Sequence, residues 1–437
     1  MTSTMPDAVP HPLVVRTVAL DLPAPADGSP PDPADLLDLL PPDAPLAWVR
    51  RGDGLVGWGE ALRVEVHGPD RFAAAERAWH ELLDHAIVRD EVDLPGTGPV
   101  AFGSFAFDED SAAGGVVVVP RVVVGRRGAV AWLTTIDTGA TLRAAPTLAA
   151  VVDPRAGTPA SPGAVSCTDG AVSAQDWPAV VSRGVEAIRA GEVDKVVLAR
   201  DVVATTSEPL DVRWPLQRLA ARYDSCWTFS VDGMIGATPE LLVRSSKGLV
   251  TSRVLAGTIR RTGDEDADVA RAATLAHSSK DLEEHEYAVS SVADALAPFC
   301  TSTNVPDVPF VLHLPNVLHL ASDVTGVLAA NPSSLALAAA LHPTAAVCGT
   351  PTAAAAQLIA RIEGMDRARY AGPVGWFGAD GDGEWGIALR SAQVDPDDPH
   401  RVRLFAGCGI VAASEPAAEL AESEAKLVPM RDALGSD

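Results

Sequence analysis

Several ionisable side chains stand in settings where they could do chemistry. Lys195 lies in Gly191-Glu192-Val193-Asp194-Lys195-Val196-Val197-Leu198-Ala199-Arg200. A lysine entering so apolar a run must be desolvated, paired or catalytic, because an unpaired buried ammonium is costly. Glu240 follows Pro239 at the head of Leu241-Leu242-Val243. A carboxyl there can have a raised pKa and act as an acid. Lys280-Asp281-Leu282-Glu283-Glu284-His285-Glu286 places three glutamates beside a histidine, a set that can hold a hard cation. Glu419, Glu422 and Lys426 fall at i, i+3 and i+7, on one helix face opposite Leu420 and Leu427. Gly257-Thr258, and Gly407 and Gly409 around Cys408, suit a backbone that approaches a ligand closely. Arg390, after Gly386-Ile387-Ala388-Leu389, is suited to bidentate carboxylate binding. His319 and His342 complete the set. Each feature alone has a simpler account: a snorkelling lysine, a strand-edge charge, helix-dipole complementation, a solvated helix face or a satisfied core histidine.

The elements that must position these groups follow from periodicity. Trp177, Val180, Val181, Val185 and Ile188 recur at helical spacing, and Gly191 stops that helix ahead of a buried strand beginning near Lys195. Leu46 to Gly59 reads as a hairpin turning at Asp53-Gly54. Phe72 to Ala86 reads as a helix, and Val100 to Phe107 as a strand. Val116–Val124 and Ala129–Ile136 form a pair turned by Gly125 to Gly128. Cys226–Val231 turns at Asp232-Gly233, and Glu240–Arg244 turns at Ser246-Lys247-Gly248 into Leu249–Val254. Helices are expected at 267–277, 281–296, 334–341, 352–362 and 417–427, with a glycine-punctuated strand at 404–411 and Arg390 on a strand. Asp153 to Gly170, rich in Pro, Gly, Ser and Thr, reads as a surface connection. Residues 1–45 are rich in Pro, Asp and Ala, with a loose start. Tight-turned strand pairs with inserted helices indicate an antiparallel α+β fold. The chain divides into an N-terminal half, residues 1–165, and a C-terminal half, residues 173–430, expected to form one structural domain.

Composition narrows the function. The 437 residues carry a formal charge of −24, which disfavours nucleic acid and anionic membranes as partners. An anionic substrate would need local cations or a metal. The five cysteines form no C-x-x-C pair, which suits free thiols in the cytoplasm. No signal peptide and no apolar run of about 20 residues is visible. Phosphate-cradling glycine motifs and a G-x-S-x-G elbow are absent.

Taken in order, the motifs resemble the chorismate-utilising enzyme family. The matching runs are Lys-Val-Val-Leu-Ala-Arg (195–200), Ala-Thr-Pro-Glu-Leu-Leu (237–242), Leu-Ala-Gly-Thr (255–258) and Glu-His (284–285). They continue with His-Pro-Thr-Ala-Ala-Val-Cys-Gly (342–349), Tyr-Ala-Gly-Pro-Val-Gly-Trp (370–376) and Leu-Arg-Ser (389–391). Ala-Gly-Cys-Gly-Ile-Val (406–411) and Glu-Ser-Glu-Ala-Lys-Leu (422–427) complete them. The resemblance covers roughly 173–430. It is looser before that, mainly at Trp58-Gly59-Glu60-Ala61 and residues 101–108.

The resemblance implies two large antiparallel β-layers flanked by helices around a central site that binds chorismate with Mg²⁺. Lys195 is typical of members that use water, and the motifs are most similar to the isochorismate-forming branch that serves menaquinone or siderophore synthesis. Salicylate synthases, ammonia-dependent anthranilate or aminodeoxychorismate synthase subunits, and a silent regulatory homologue are the alternatives. By this resemblance Lys195 would take a proton from water attacking C2, and Glu240 would protonate the hydroxyl leaving C4. Glu284 and Glu422 would hold Mg²⁺, with Glu419 acting through water. Gly257, Thr258, His342, Tyr370, Arg390, Gly407, Gly409 and Lys426 would hold chorismate. The enzyme would work as a monomer without a glutaminase. Cys348 and Cys408, where the family usually has smaller residues, would confer sensitivity to thiol reagents.

Overall fold

The computed structural model describes residues 12–21, 36–139, 141–142 and 144–435, with the side chains of Lys280 and Glu284 left aside. The expectation of a loose start therefore falls mostly on residues outside those described. Leu13–Leu20 is a strand.

The described strands form one continuous hydrogen-bonded ladder. All its pairings are antiparallel except Leu13–Leu20 with Ile87–Asp90. At its centre the long strands Asp53–Val66 and Gly115–Arg127 run side by side. From them the ladder leaves in two arms. The first passes through Leu46–Arg50, Trp227–Val231, Met234–Thr238, Ser391–Val394 and Arg401–Ile410 to Lys195–Thr206. The second passes through Val100–Phe105, Pro373–Gly378, Gly383–Ile387, Leu241–Ser246 and Leu249–Arg260 to Val317–Leu328. This large antiparallel sheet with its flanking helices is the α+β architecture that the resemblance implies. Residues from both sequence halves pair directly, as in Val374 with Ser104 and Phe229 with Trp48.

The helices cover the arms. Trp177–Arg189 ends as Gly191 takes a positive φ of 77° and its N–H bonds the Ile188 carbonyl, so the chain reverses and Lys195 opens its strand. Trp177, Val180, Val181 and Val185 are buried, and burial of one such side chain contributes roughly 1.5–3 kcal/mol. The last helix, Pro416–Leu434, is longer than its apolar pattern showed and continues through Pro429.

Some local expectations shift. The first hairpin turns at Arg51-Gly52, both with positive φ, because Arg50 pairs with Asp53. The pair expected to turn at residues 125–128 keeps its ladder through Arg127 and Val130. Val165–Asp169, read as connection, is a strand on the edge of Lys195–Thr206. Alternation there was masked by polar residues that face solvent.

Candidate active site

Two short links carry the chain from one arm to the other. Pro239-Glu240 joins Met234–Thr238 to Leu241–Ser246, and 388–390 joins Gly383–Ile387 to Ser391–Val394. The links lie side by side: the Ala237 N–H donates to the Arg390 carbonyl at 3.2 Å, and the Ile387 N–H to the Glu240 carbonyl at 3.2 Å. Arg390 is therefore not on a strand. It adopts a φ of 50°, a left-handed conformation unusual for a side-chain-bearing residue. A cavity of about 240 Å³ opens beside these links. Lys195, Gly407 and Gly409 line it from the first arm, and Gly257, Thr258 and His319 from the second. Tyr370, Glu419, Glu422 and Lys426 complete its working wall.

The backbone is shaped to admit a ligand and to aim Lys195. Lys195 is half-buried as the first residue of its strand. A Cβ on Gly409 would lie 3.1 Å from Lys195 Cε and 3.6 Å from its Nζ, so a side chain there would crowd the amine. Gly257 has a φ of 77° and sits where the register slips between Ala256 and Thr258, a bulge that turns the Thr258 strand toward the cavity.

Burial sets the protonation of Glu240. Glu240 is 6% exposed. Burial pushes its carboxyl up to about 8, and the nearby charges of Arg390 and Lys195 only partly oppose this. A carboxyl of that kind holds its proton at neutral pH and can donate it. Tyr370 stacks on Phe405 at 5.0 Å, and burial raises its phenol to about 12, leaving it a neutral hydrogen-bonding group.

The last helix supplies a carboxylate cluster. Ligand atoms of Cys408, Glu419 and Glu422 all lie within 4.8 Å of one another. For Glu422, burial acts upward, but the Lys426 ammonium at 2.6 Å, Arg390 and the Cys408 thiol together hold the carboxyl below its usual range. Lys426 Nζ also donates to the Gly407 carbonyl at 2.9 Å. The ionised oxygens at the cavity wall fit a hard divalent cation. Glu284 lies on the helix Ser279–Leu296, and its side chain falls outside what is described.

The cavity is lined by Lys195, Glu240, Gly257, Thr258, Tyr370, Arg390, Gly407, Gly409, Glu419, Glu422 and Lys426, all singled out in the sequence. His342 is a correction. It is not among the lining residues. It ends the helix Ser334–Leu341, packs against the Phe72 and Phe107 rings and bonds the Phe107 carbonyl at 2.9 Å. Burial lowers its pKa to about 4, so it serves as a neutral packing group. His319 takes the place expected for His342. It lines the cavity, bonds Thr258 Oγ1 through Nδ1 at 2.9 Å, and burial pushes it down to about 3. Its buried Nε2 has no hydrogen-bond partner among the described residues and is available to a ligand. Its pairing with Thr258 across the ladder was the signal in principle, but register is not written in either segment alone.

Arg367 was also missed. It is buried on the cavity wall, forks onto Glu363 at 2.7 and 2.6 Å, and bonds the carbonyls of Val347 and Val197. It thereby ties the Lys195 strand to the loop after His342. Cys348 and Cys408 are fully buried, and burial raises their thiols to about 11 and about 12. Little thiolate is available to reagents, contrary to the expectation of thiol sensitivity.

The profile described as "Chorismate binding enzyme" matches residues 47–435. With the fold and site above, the chain belongs to the chorismate-binding enzyme family, an α+β group whose enzymes are metal-dependent. Among its relatives is the salicylate biosynthesis isochorismate synthase of Pseudomonas aeruginosa, 36% identical over 90% of this chain and 85% of that protein. Isochorismate synthase DhbC of Bacillus subtilis is 40% identical over 60% of this chain and 68% of that protein. The crystal structure of a putative 2,3-dihydroxybenzoate-specific isochorismate synthase, DhbC, from Bacillus anthracis superposes with a TM-score of 0.76. It is 32% identical and covers 92% of this chain and 100% of that chain.

Proposed function

We propose that this chain is an isochorismate synthase, an isomerase that interconverts chorismate and isochorismate with Mg²⁺ and without a glutaminase partner. The observation that carries the mechanism is a cavity in which one wall holds an amine, Lys195, and another a carboxyl kept protonated by burial, Glu240. A base and an acid with separately tuned proton affinities are what an exchange of hydroxyl positions on one ring requires.

Lys195 takes a proton from water as that water's oxygen bonds to C2. The ring double bonds shift, the C4–O bond breaks, and Glu240 gives its proton to the departing hydroxyl, which leaves as water. Arg390, Lys426, Tyr370 and the neutral His319 offer donors to the carboxylates of the substrate. Glu422, Glu419 and Glu284 would hold Mg²⁺, which supplies charge compensation for the ring carboxylate. The overall charge of −24 makes such local compensation necessary. No helix among the described residues is long and apolar enough to cross a membrane.

Incubating the purified chain with chorismate and Mg²⁺ and separating the products tests this reading. Isochorismate should accumulate to a plateau and revert to chorismate when supplied alone. Salicylate and pyruvate appearing in equal amounts from the outset, without that plateau, would establish the lyase instead, and a requirement for ammonia would establish an aminating synthase.

A further inference from the structure

Glu240 borders a second space. This chamber of about 10 Å³ is lined by Glu240, Ser252, Arg253, Thr344 and Ala346, with apolar neighbours such as Ile387. Glu240 and Ala346 line both spaces, so the two adjoin at these residues. The volume matches the room that one water molecule needs. Two hydroxyls belong to it. Thr344 is 8% exposed, and its buried Oγ1 has no hydrogen-bond partner among the described residues. Ser252 is 2% exposed, and among the described residues its hydroxyl reaches the Leu241 carbonyl alone, at 3.5 Å. Arg253 is engaged by Asp323 through two contacts of 2.7 Å. A buried hydroxyl without a partner is costly unless a water satisfies it.

The reaction makes a demand that such a chamber meets. One forward turnover leaves Lys195 with an extra proton and Glu240 without one. Before the next turnover Lys195 must release a proton to solvent and Glu240 must regain one. The substrate cavity is occupied by product and the released water at that moment, and the reverse reaction makes the opposite demand.

We infer that the chamber holds one water molecule between the Thr344 and Ser252 hydroxyls and the Glu240 carboxyl, and that Glu240 exchanges its proton through this water. Thr344 is then a positioning residue, acting on the acid through the water. In each exchange the water gives one proton to the carboxylate and takes one from solvent, so it is regenerated. The inference rests on the reading of Glu240 as the acid.

Rapid mixing of the Mg²⁺-loaded enzyme with chorismate tests it, using Thr344→Val, which keeps the shape and removes the hydroxyl, and Thr344→Ser, which keeps the hydroxyl. In Thr344→Val the first turnover should run at the unmodified rate and give a burst of isochorismate equal to the enzyme concentration. The steady rate should then fall roughly tenfold or more, with KM falling in proportion and kcat/KM unchanged, because the slowed step follows the chemistry. Small weak acids in the buffer should restore it, and Thr344→Ser should behave like the unmodified enzyme. Ser252→Ala should give a weaker burst of the same kind and covers the case of a poorly folded Thr344→Val. A Thr344→Val protein with unmodified steady turnover, or one whose first turnover slows as much as its steady rate, overturns the inference. Glu240→Gln separates the two readings: a dead Glu240→Gln with an unaffected Thr344→Val removes the relay alone, and an active Glu240→Gln removes the acid as well.

Discussion

Glu240 is the residue on which most of the chemistry turns. Its carboxyl is held near 8 in the fold, well above the ordinary value of 4.5. The acid is therefore present at neutral pH and is lost as pH rises through about 8, so kcat/KM should fall over that range; an unchanged rate well above pH 8 would remove Glu240 as the donor. The same shift bears on stability. Because the folded pKa is raised, this carboxyl binds its proton more tightly when folded. Its contribution is most favourable below the unfolded value and is lost as pH rises toward about 8. Glu240→Gln, which cannot ionise, should thus gain stability relative to the unmodified chain between roughly pH 4.5 and 8, measured by denaturant unfolding. Its turnover should drop about 10²-fold or more with folding intact. Lys195→Ala should abolish both directions. At the carboxylate cluster, chelator should stop turnover and Mg²⁺ restore it, and Glu422→Gln should raise the Mg²⁺ needed for half-maximal rate. Activity surviving in excess chelator would remove the metal from the mechanism.

At the scale of elements, the site is built where regular structure stops. Glu240 and Arg390 occupy the two links that pass between the arms, where the ladder gives up a register and side chains can point into the space between layers. The strand ends do the finer aiming. Gly409 leaves 3.1 Å between its own missing Cβ and Lys195 Cε. Gly409→Ala should fold normally, since its backbone is not in a glycine-only region, and should lower kcat roughly tenfold by displacing the amine. A circular dichroism spectrum like that of the parent with unchanged kcat would show that Lys195 has room to spare.

For the whole molecule, the catalytic motifs fall in residues 173–430, yet they do not make a self-contained sheet. Pro373–Gly378 is paired to Val100–Phe105, and Trp227–Val231 to Leu46–Arg50. Buried Phe102, Phe105 and Trp48 belong to the same core as Trp376 and Trp385. We propose that the two halves fold as one unit. Residues 173–430 expressed alone should be insoluble or lack a cooperative thermal transition, because two long strand edges and their apolar faces would be open. A soluble fragment melting cooperatively near the full chain's temperature would make the N-terminal half an accessory.

The sequence by itself determined the residue types and their order along the chain. Lys195 after a glycine-stopped helix, Glu240 after a proline and Glu419, Glu422 and Lys426 on one helix face all follow from local rules, since turn chemistry and side-chain periodicity act over a few residues. Helices 334–341 and 352–362 were legible to the residue for the same reason. What only the tertiary structure decided is which of these residues meet. His319 and His342 look alike in sequence, and cross-strand register with Thr258 puts the first in the cavity while Phe72 and Phe107 enclose the second. Arg390 left its expected strand because the link between arms requires a left-handed residue there. The raised proton affinity of Glu240 likewise comes from groups distant in the chain. Desolvation sums over every atom packed around a carboxyl, and that sum exists only once the arms have closed on it.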